Sequence, residues 1–206
     1  MVDALNIQVF LLRSKGNYPK VLAILSRSLE IAELADYKKG LARALLKKGH
    51  IYVYQSKFPE AIALYDRSLK LSESIGYKKG IANVFNAFGK INYYQADYEK
   101  ARLNCDKSYE ICKAIDDKLG MVWALQTLGI VYQRFKDLPK ALELHELCFR
   151  IAKEMSYLEY MAVEMMEMGF IYRKLNKHKR SLELHLRSLE ICKKHELKRI
   201  MVSNLY

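Results

Sequence analysis

The sequence predicts an all-α solenoid of antiparallel helix pairs, on three observations. Shifted against itself by forty residues, the chain aligns without a gap, so that Leu41, Ile81, Met121, Met161 and Met201 all fall where Met1 does. A period between about twenty and fifty residues marks a solenoid. The conformationally special residues also keep to fixed points of that period. If its slots are numbered 1 to 40, Pro19, Pro59 and Pro139 share slot 19, Gly49, Gly89, Gly129 and Gly169 share slot 9, and Gly40, Gly80 and Gly120 share slot 40. Lastly, apolar residues inside one period recur at intervals of three and four, which lays a stripe along a helix.

The stretch from Met121 to Lys153 shows the unit most clearly. Met121, Leu125, Leu128 and Tyr132 form the stripe of a first helix. A turn follows around Lys136 to Leu138, because Pro139 suits the first turn of a helix, where its missing N–H would have no partner. Ala141, Leu144, Cys148 and Ile151 then stripe a second helix. Gly129 lies inside the first helix, where glycine costs about 1 kcal/mol relative to alanine, and this predicts that another backbone comes close.

Taken in order, the units run 1–40, 41–80, 81–120, 121–160 and 161–200, in a single array over 1–206. The first unit carries Leu5, Val9 and Leu12 in a first helix expected to be clipped by about one turn. Its second helix, from Pro19 to about Ala35, offers Leu22, Leu25, Leu29 and Ala32. The linker Tyr37-Lys38-Lys39-Gly40 recurs as Tyr77-Lys78-Lys79-Gly80, and connections this short make neighbouring helices antiparallel. Residues 201–206 read as the opening of a sixth first helix. There Ile200, Met201 and Leu205 would pack on the fifth unit and leave part of its face uncovered. The expectation is a piece of a longer array, or self-association through the terminal units.

Composition narrows the function. Apolar residues make up 51% of the 206, enough for a continuous core, and their periodic spread leaves no run of about eighteen that could span a bilayer. The opening Met1-Val2-Asp3 lacks the basic region of a secretory signal, which predicts a cytoplasmic protein with no membrane insertion. Cys105, Cys112, Cys148 and Cys192 all fall in second helices, two of them where other units have Ala32, Ser72 and Ala152; they read as reduced core thiols. The net charge of +12 is uneven: Lys and Arg outnumber Asp and Glu by eight to three in 41–80 and by ten to five in 161–200, while the third and fourth units are neutral. Much of the excess lies in turns and linkers, as a solvated rim would.

Leu125, Leu128, Gly129, Tyr132 and Ala141, with Leu45, Gly49, Tyr52, Phe58, Ala61 and Tyr65, follow a pattern that resembles the tetratricopeptide repeat. Phe85, Phe88, Gly89, Tyr98 and Ala101 repeat it, as do Met165, Met168, Gly169 and Tyr172. The forty-residue period resembles the longer variety found in bacterial regulators and peptide receptors, kinesin light chains and spindle-orientation adaptors. The resemblance covers essentially the whole chain. It implies a right-handed superhelix whose first helices line a concave groove, with slots 3, 6, 10, 13 and 14 pointing inward.

Carried onto this sequence, those slots hold Arg13, Arg43, His50, Tyr54, Asn83, Asn86, Lys90, Tyr93, Tyr94, Trp123, Gln126, Gln133, Arg134, Phe170, Arg173 and Lys174. Amides can bracket the backbone of an extended peptide, aromatics give area at little rotamer entropy, and arginine pairs with carboxylates. The only acidic residue in these slots is Asp3, so the groove is expected to prefer an acidic protein or peptide partner. Trp123 is the sharpest single candidate, since an exposed tryptophan calls for a partner; the alternative is that it packs on a neighbouring helix. Slot 6 reads Asn6, Leu46, Asn86, Gln126, Met166 and lacks the clamp with which some members of the family hold a chaperone's terminal carboxylate.

Catalysis and cofactors are not expected. His145 and His185 share slot 25 with Leu25, Tyr65 and Cys105 and read as packing residues with one satisfied ring nitrogen. His145 and Cys148 could touch, but a structural zinc needs four ligands, and His145-Glu146-Leu147-Cys148-Phe149 is not a metalloprotease motif. The leading reading is therefore an interaction scaffold, with the sensor part of a larger protein as one form it could take. The alternative is a basic repeat protein associating with nucleic acid; against it, slot 3 varies freely through Arg43, Asn83, Trp123 and Val163, and two neutral units break the basic track.

Overall fold

A computed structural model describes residues 18–197, which form nine helices joined by short turns. They are α1 (Tyr18–Leu34), α2 (Lys38–Tyr54), α3 (Phe58–Ser74), α4 (Lys78–Tyr94), α5 (Tyr98–Ala114), α6 (Lys118–Arg134), α7 (Leu138–Glu154), α8 (Leu158–Lys174) and α9 (His178–Lys194). Every helix has 17 residues. Two such helices and two three-residue turns account for the forty-residue period. The clipped first helix, Arg13 and the partial sixth helix of the sequence reading lie outside the described residues.

The turns share one construction. At each, the second residue after the helix has positive φ: Asp36, Ser56, Gly76, Ala96, Asp116, Lys136, Ser156, Asn176 and Glu196. Around it the amides reach back to the helix, as where Lys136 N–H donates to Gln133 O at 3.2 Å and Asp137 N–H to Tyr132 O at 3.0 Å. This is the Schellman closure, which satisfies carbonyls that the helix end would leave open. Glycine would suit these positions best, yet among them only Gly76 is one. Asp97 and Asp137 then cap the next helices by accepting from the amides of Lys100 and Lys140.

Helices pack antiparallel within a unit and against the next unit. In α3, α5 and α9 the slot-28 side chain donates to the slot-2 carbonyl of the preceding first helix: Ser68 to Ala42 at 2.8 Å, Ser108 to Ala82 at 2.9 Å and Ser188 to Ala162 at 2.7 Å. Cys148 does the same to Val122 at 3.6 Å. First helices also meet first helices, α2 with α4 and α4 with α6, which puts them on the inner side of the array.

The glycines of slot 9 receive the side chain of slot 25. A Cβ on Gly129 would stand 2.4 Å from His145 Nε2, so the close neighbour is a side chain and not the backbone that the sequence suggested. The slot-40 glycines lie inside first helices, not in the turns. All four cysteines are buried and free. Burial pushes the Cys105 thiol up to about 12 and the Cys112 thiol up to about 11, so both stay protonated in the core.

Candidate functional site

The fifteen candidate residues within the described range sit on the four first helices; the structure sorts fourteen of them into three groups and sets the other, Gln126, against a buried cluster. The first is an aromatic edge. Tyr54, at the end of α2, is 56% exposed and its ring stacks on Tyr18 with centroids 6.4 Å apart; one unit along, Tyr94 is 59% exposed and stacks on Phe58 at 6.3 Å. His50 stands edge-on to Tyr65, Arg43 and Asn83 are half-buried, and Lys90 is exposed.

The second group is used for packing between helices. Asn86 is buried and accepts from Thr127 Oγ1 at 3.5 Å, so it belongs to the α4–α6 contact. Trp123 is half-buried, and its indole N–H donates to the Tyr160 hydroxyl at 2.7 Å. The tryptophan is thus partnered within the chain by a residue of α8, because a large ring at slot 3 reaches the neighbouring helix. Phe170 lies between His185, edge-on at 4.9 Å, and the Arg173 guanidinium, 5.3 Å from the ring centroid.

The third group surrounds a cavity. Tyr93, Gln133, Arg134 and Lys174, from the last turns of α4, α6 and α8, line a space of about 300 Å³ together with Ile130 and Glu167. Arg134 donates through Nε at 3.0 Å and Nη2 at 2.8 Å to the Tyr93 hydroxyl, a bond that pushes the guanidinium's pKa up and keeps it charged. Lys174 Nζ donates to Gln133 Oε1 at 3.1 Å, and Gln133 Nε2 donates to Glu167 Oε2 at 3.3 Å. Glu167 corrects the picture of a groove without acid: it sits at slot 7, one helical step past slot 6, yet it lines this cavity. Two cations against one carboxylate still leave the cavity net positive.

Behind the cavity lies a buried polar cluster that the sequence reading did not foresee. Glu164 and His145 are both 0% exposed, with Glu164 Oε2 at 2.6 Å from His145 Nδ1. Glu164 Oε1 accepts from Gln126 Nε2 at 2.7 Å, which turns that groove candidate partly toward the core. His145 Nε2 lies 3.4 Å from Gln133 Nε2. The signal was present in the sequence, since slot 4 holds Ala44, Val84 and Ala124 before Glu164.

Among the described residues no cluster of three or more His, Cys, Asp or Glu is placed to hold a metal ion, and no helix is long and apolar enough to cross a membrane.

The tetratricopeptide repeat model matches residues 2–74 and 80–154 of the chain, more than half of it. No curated protein sequence matches it. Among solved structures, it is similar to BtubC (BKLC) from P. vanneervenii, at 16% identity and a TM-score of 0.76, over 95% of this chain and 81% of that one. A Rap protein complexed with Competence and Sporulation Factor superposes with a TM-score of 0.85 at 13% identity, over 96% of this chain and 55% of that one. The STAND protein with a tetratricopeptide repeat sensor, PH0952 from Pyrococcus horikoshii, does so with 0.73 at 18% identity, over 98% and 32%. At these identities the likeness concerns the fold, and the chain spans about half of the Rap protein and a third of the STAND protein.

Proposed function

Because the chain belongs to the tetratricopeptide repeat family, we propose that it works as a non-catalytic interaction scaffold that holds an extended, acidic peptide segment along its first helices. The observation that carries this is the cavity at the ends of α4, α6 and α8, where Arg134 and Lys174 face a single carboxylate, Glu167. Beside it the exposed rings of Tyr54 and Tyr94, one unit apart, add apolar area along the same row of helix ends. Phenol rings bury area at low entropic cost, and the cations select carboxylates over other side chains. The similar Rap protein is complexed with Competence and Sporulation Factor; here the chemistry of the lining residues supports the reading.

The test is a random-peptide display selection on the wild type and on the triple variant Arg134→Glu, Arg173→Glu, Lys174→Glu. These three residues are exposed, so helicity should be unchanged. The wild type should enrich peptides rich in Asp and Glu, and the variant should lose them. Equal enrichment by both proteins would refute the groove, and strong retention of a single-stranded oligonucleotide by the wild type would favour the nucleic-acid alternative.

A further inference from the structure

The buried pair of His145 and Glu164 occupies the boundary between the fourth and fifth units. Slots 25 and 4 meet there; at the preceding boundaries the same slots hold Leu25, Tyr65 and Cys105 against Ala44, Val84 and Ala124. Packing alone is therefore served by uncharged residues. A buried ionisable pair is weak support for stability, because desolvation opposes the attraction.

The pair has an outlet to the surface, and it runs through Gln133. One end of that amide, Nε2, faces His145 Nε2 at 3.4 Å and Glu167 Oε2 at 3.3 Å; the other end, Oε1, accepts from Lys174 Nζ at 3.1 Å. Reversing the amide would set its oxygen against the Glu167 carboxylate and its NH₂ against the Lys174 ammonium. Only one orientation satisfies all three neighbours. That orientation needs a lone pair on His145 Nε2, hence the ring proton on Nδ1, hence an acceptor at Nδ1. Glu164 Oε2, at 2.6 Å, is that acceptor, and Gln126 holds its other oxygen in place.

We propose that His145 and Glu164 are positioning residues for the groove: by fixing the ring tautomer they fix the Gln133 amide, which in turn holds the Lys174 ammonium and the Glu167 carboxylate at the cavity. None of the three links works alone. A carboxylate orders an imidazole, the imidazole orders an amide, and the amide presents one cation and one anion at a set spacing. The ligand that satisfies both is a carboxylate-bearing segment with a donor beside the acid, as an acidic residue and a backbone N–H in an extended peptide provide. This last step rests on the groove reading; the ordering of Gln133 does not.

The experiment compares the wild type with the double variant His145→Leu, Glu164→Val, which places in these slots residue types found there in other units. In the wild type, heteronuclear NMR should show the Nδ1–H tautomer at His145 and a Gln133 amide in contact with the Lys174 side chain. The double variant should fold, while the Gln133 amide loses that contact and averages. A fluorescein-labelled acidic peptide taken from the display selection should bind it about tenfold more weakly, the worth of one hydrogen bond to a charged group. An Nε2–H tautomer in the wild type, or a Gln133 amide unchanged in the double variant, would overturn the proposal. If the double variant fails to fold, the wild-type tautomer still decides. If the display selection yields no peptide, the groove reading fails while the NMR comparison stands.

Discussion

Removing one member of the buried pair should cost far more than removing both. In Glu164→Val, the Nδ1–H of a fully buried ring loses its acceptor and the Gln126 amide loses one as well. In His145→Leu, a fully buried carboxylate loses its imidazole partner and keeps the Gln126 amide and the neighbouring Cys148 thiol. Breaking a buried pair from one side costs about 3–5 kcal/mol, whereas replacing both members by apolar residues is neutral or stabilising by about 1–4 kcal/mol. For a chain of this size each kcal/mol moves the melting point by about 2–4 °C, so each single variant should melt about 6–20 °C lower. The double variant should melt at or above the wild type. Circular dichroism during heating and in urea gives all four corners of the cycle. A double variant destabilised by the sum of the two singles would refute the reasoning, because it would mean that the two side chains act as independent packing groups.

Gly129→Ala should destabilise by about 1–3 kcal/mol, the usual cost of overpacking, because its Cβ would meet the His145 ring at 2.4 Å; thermal melting checks it. Trp123 is the single tryptophan of the chain, so Tyr160→Phe, which leaves its indole N–H without the hydroxyl at 2.7 Å, should shift the emission and cost about 0.5–1.5 kcal/mol. Cys105 and Cys112, with thiols raised by burial, should resist a thiol reagent at pH 8 in the native protein and react once it is denatured. The Asp97 carboxyl is held below its ordinary range, chiefly by its bond to the Lys100 side chain and then by the Lys100 amide. Its folded pKa is depressed, so its contribution is present above the unfolded value and fades as pH falls through the folded one; Asp97→Ala should flatten that acid limb in a pH-dependent melt.

The architecture was legible because the helix-turn-helix unit is written five times over. Proline at slot 19 can occupy few structures, and its recurrence placed the start of the second helices to within a residue, whereas the linker read at slots 37 to 40 falls mostly inside the first helices. The turns were less legible. Slot 36 holds Asp36, Asp116, Ser156 and Glu196 as well as Gly76, and side chains other than glycine are accepted in the left-handed region there because the Schellman bonds on either side fix the backbone.

The candidate site was legible by slot but not by direction. Slot numbers placed Tyr93, Gln133, Arg134 and Lys174 on first-helix ends, and the structure gathers them around one cavity. They could not say that Asn86 turns into the α4–α6 contact, and for Trp123 they left open a ligand or a neighbouring helix; Tyr160 decides for the helix, because both outcomes depend on what that helix offers. Glu164 was missed for a related reason: a slot scheme judges each position against its own column, and this residue makes sense only beside His145 on a different helix.

That pair also makes the units non-interchangeable. Excising 81–120 would bring Tyr65 against Ala124, an uncharged contact of the kind found at other boundaries. Excising 121–160 would instead set Glu164 against Cys105, leaving a carboxylate in the core without its imidazole. An array of this kind grows and shrinks by whole repeats, and the joint between the fourth unit and the fifth, with a buried ionic contact across it, resists such editing. The ionic contact gives the order of the repeats an address, so that two units with nearly the same backbone cannot exchange places.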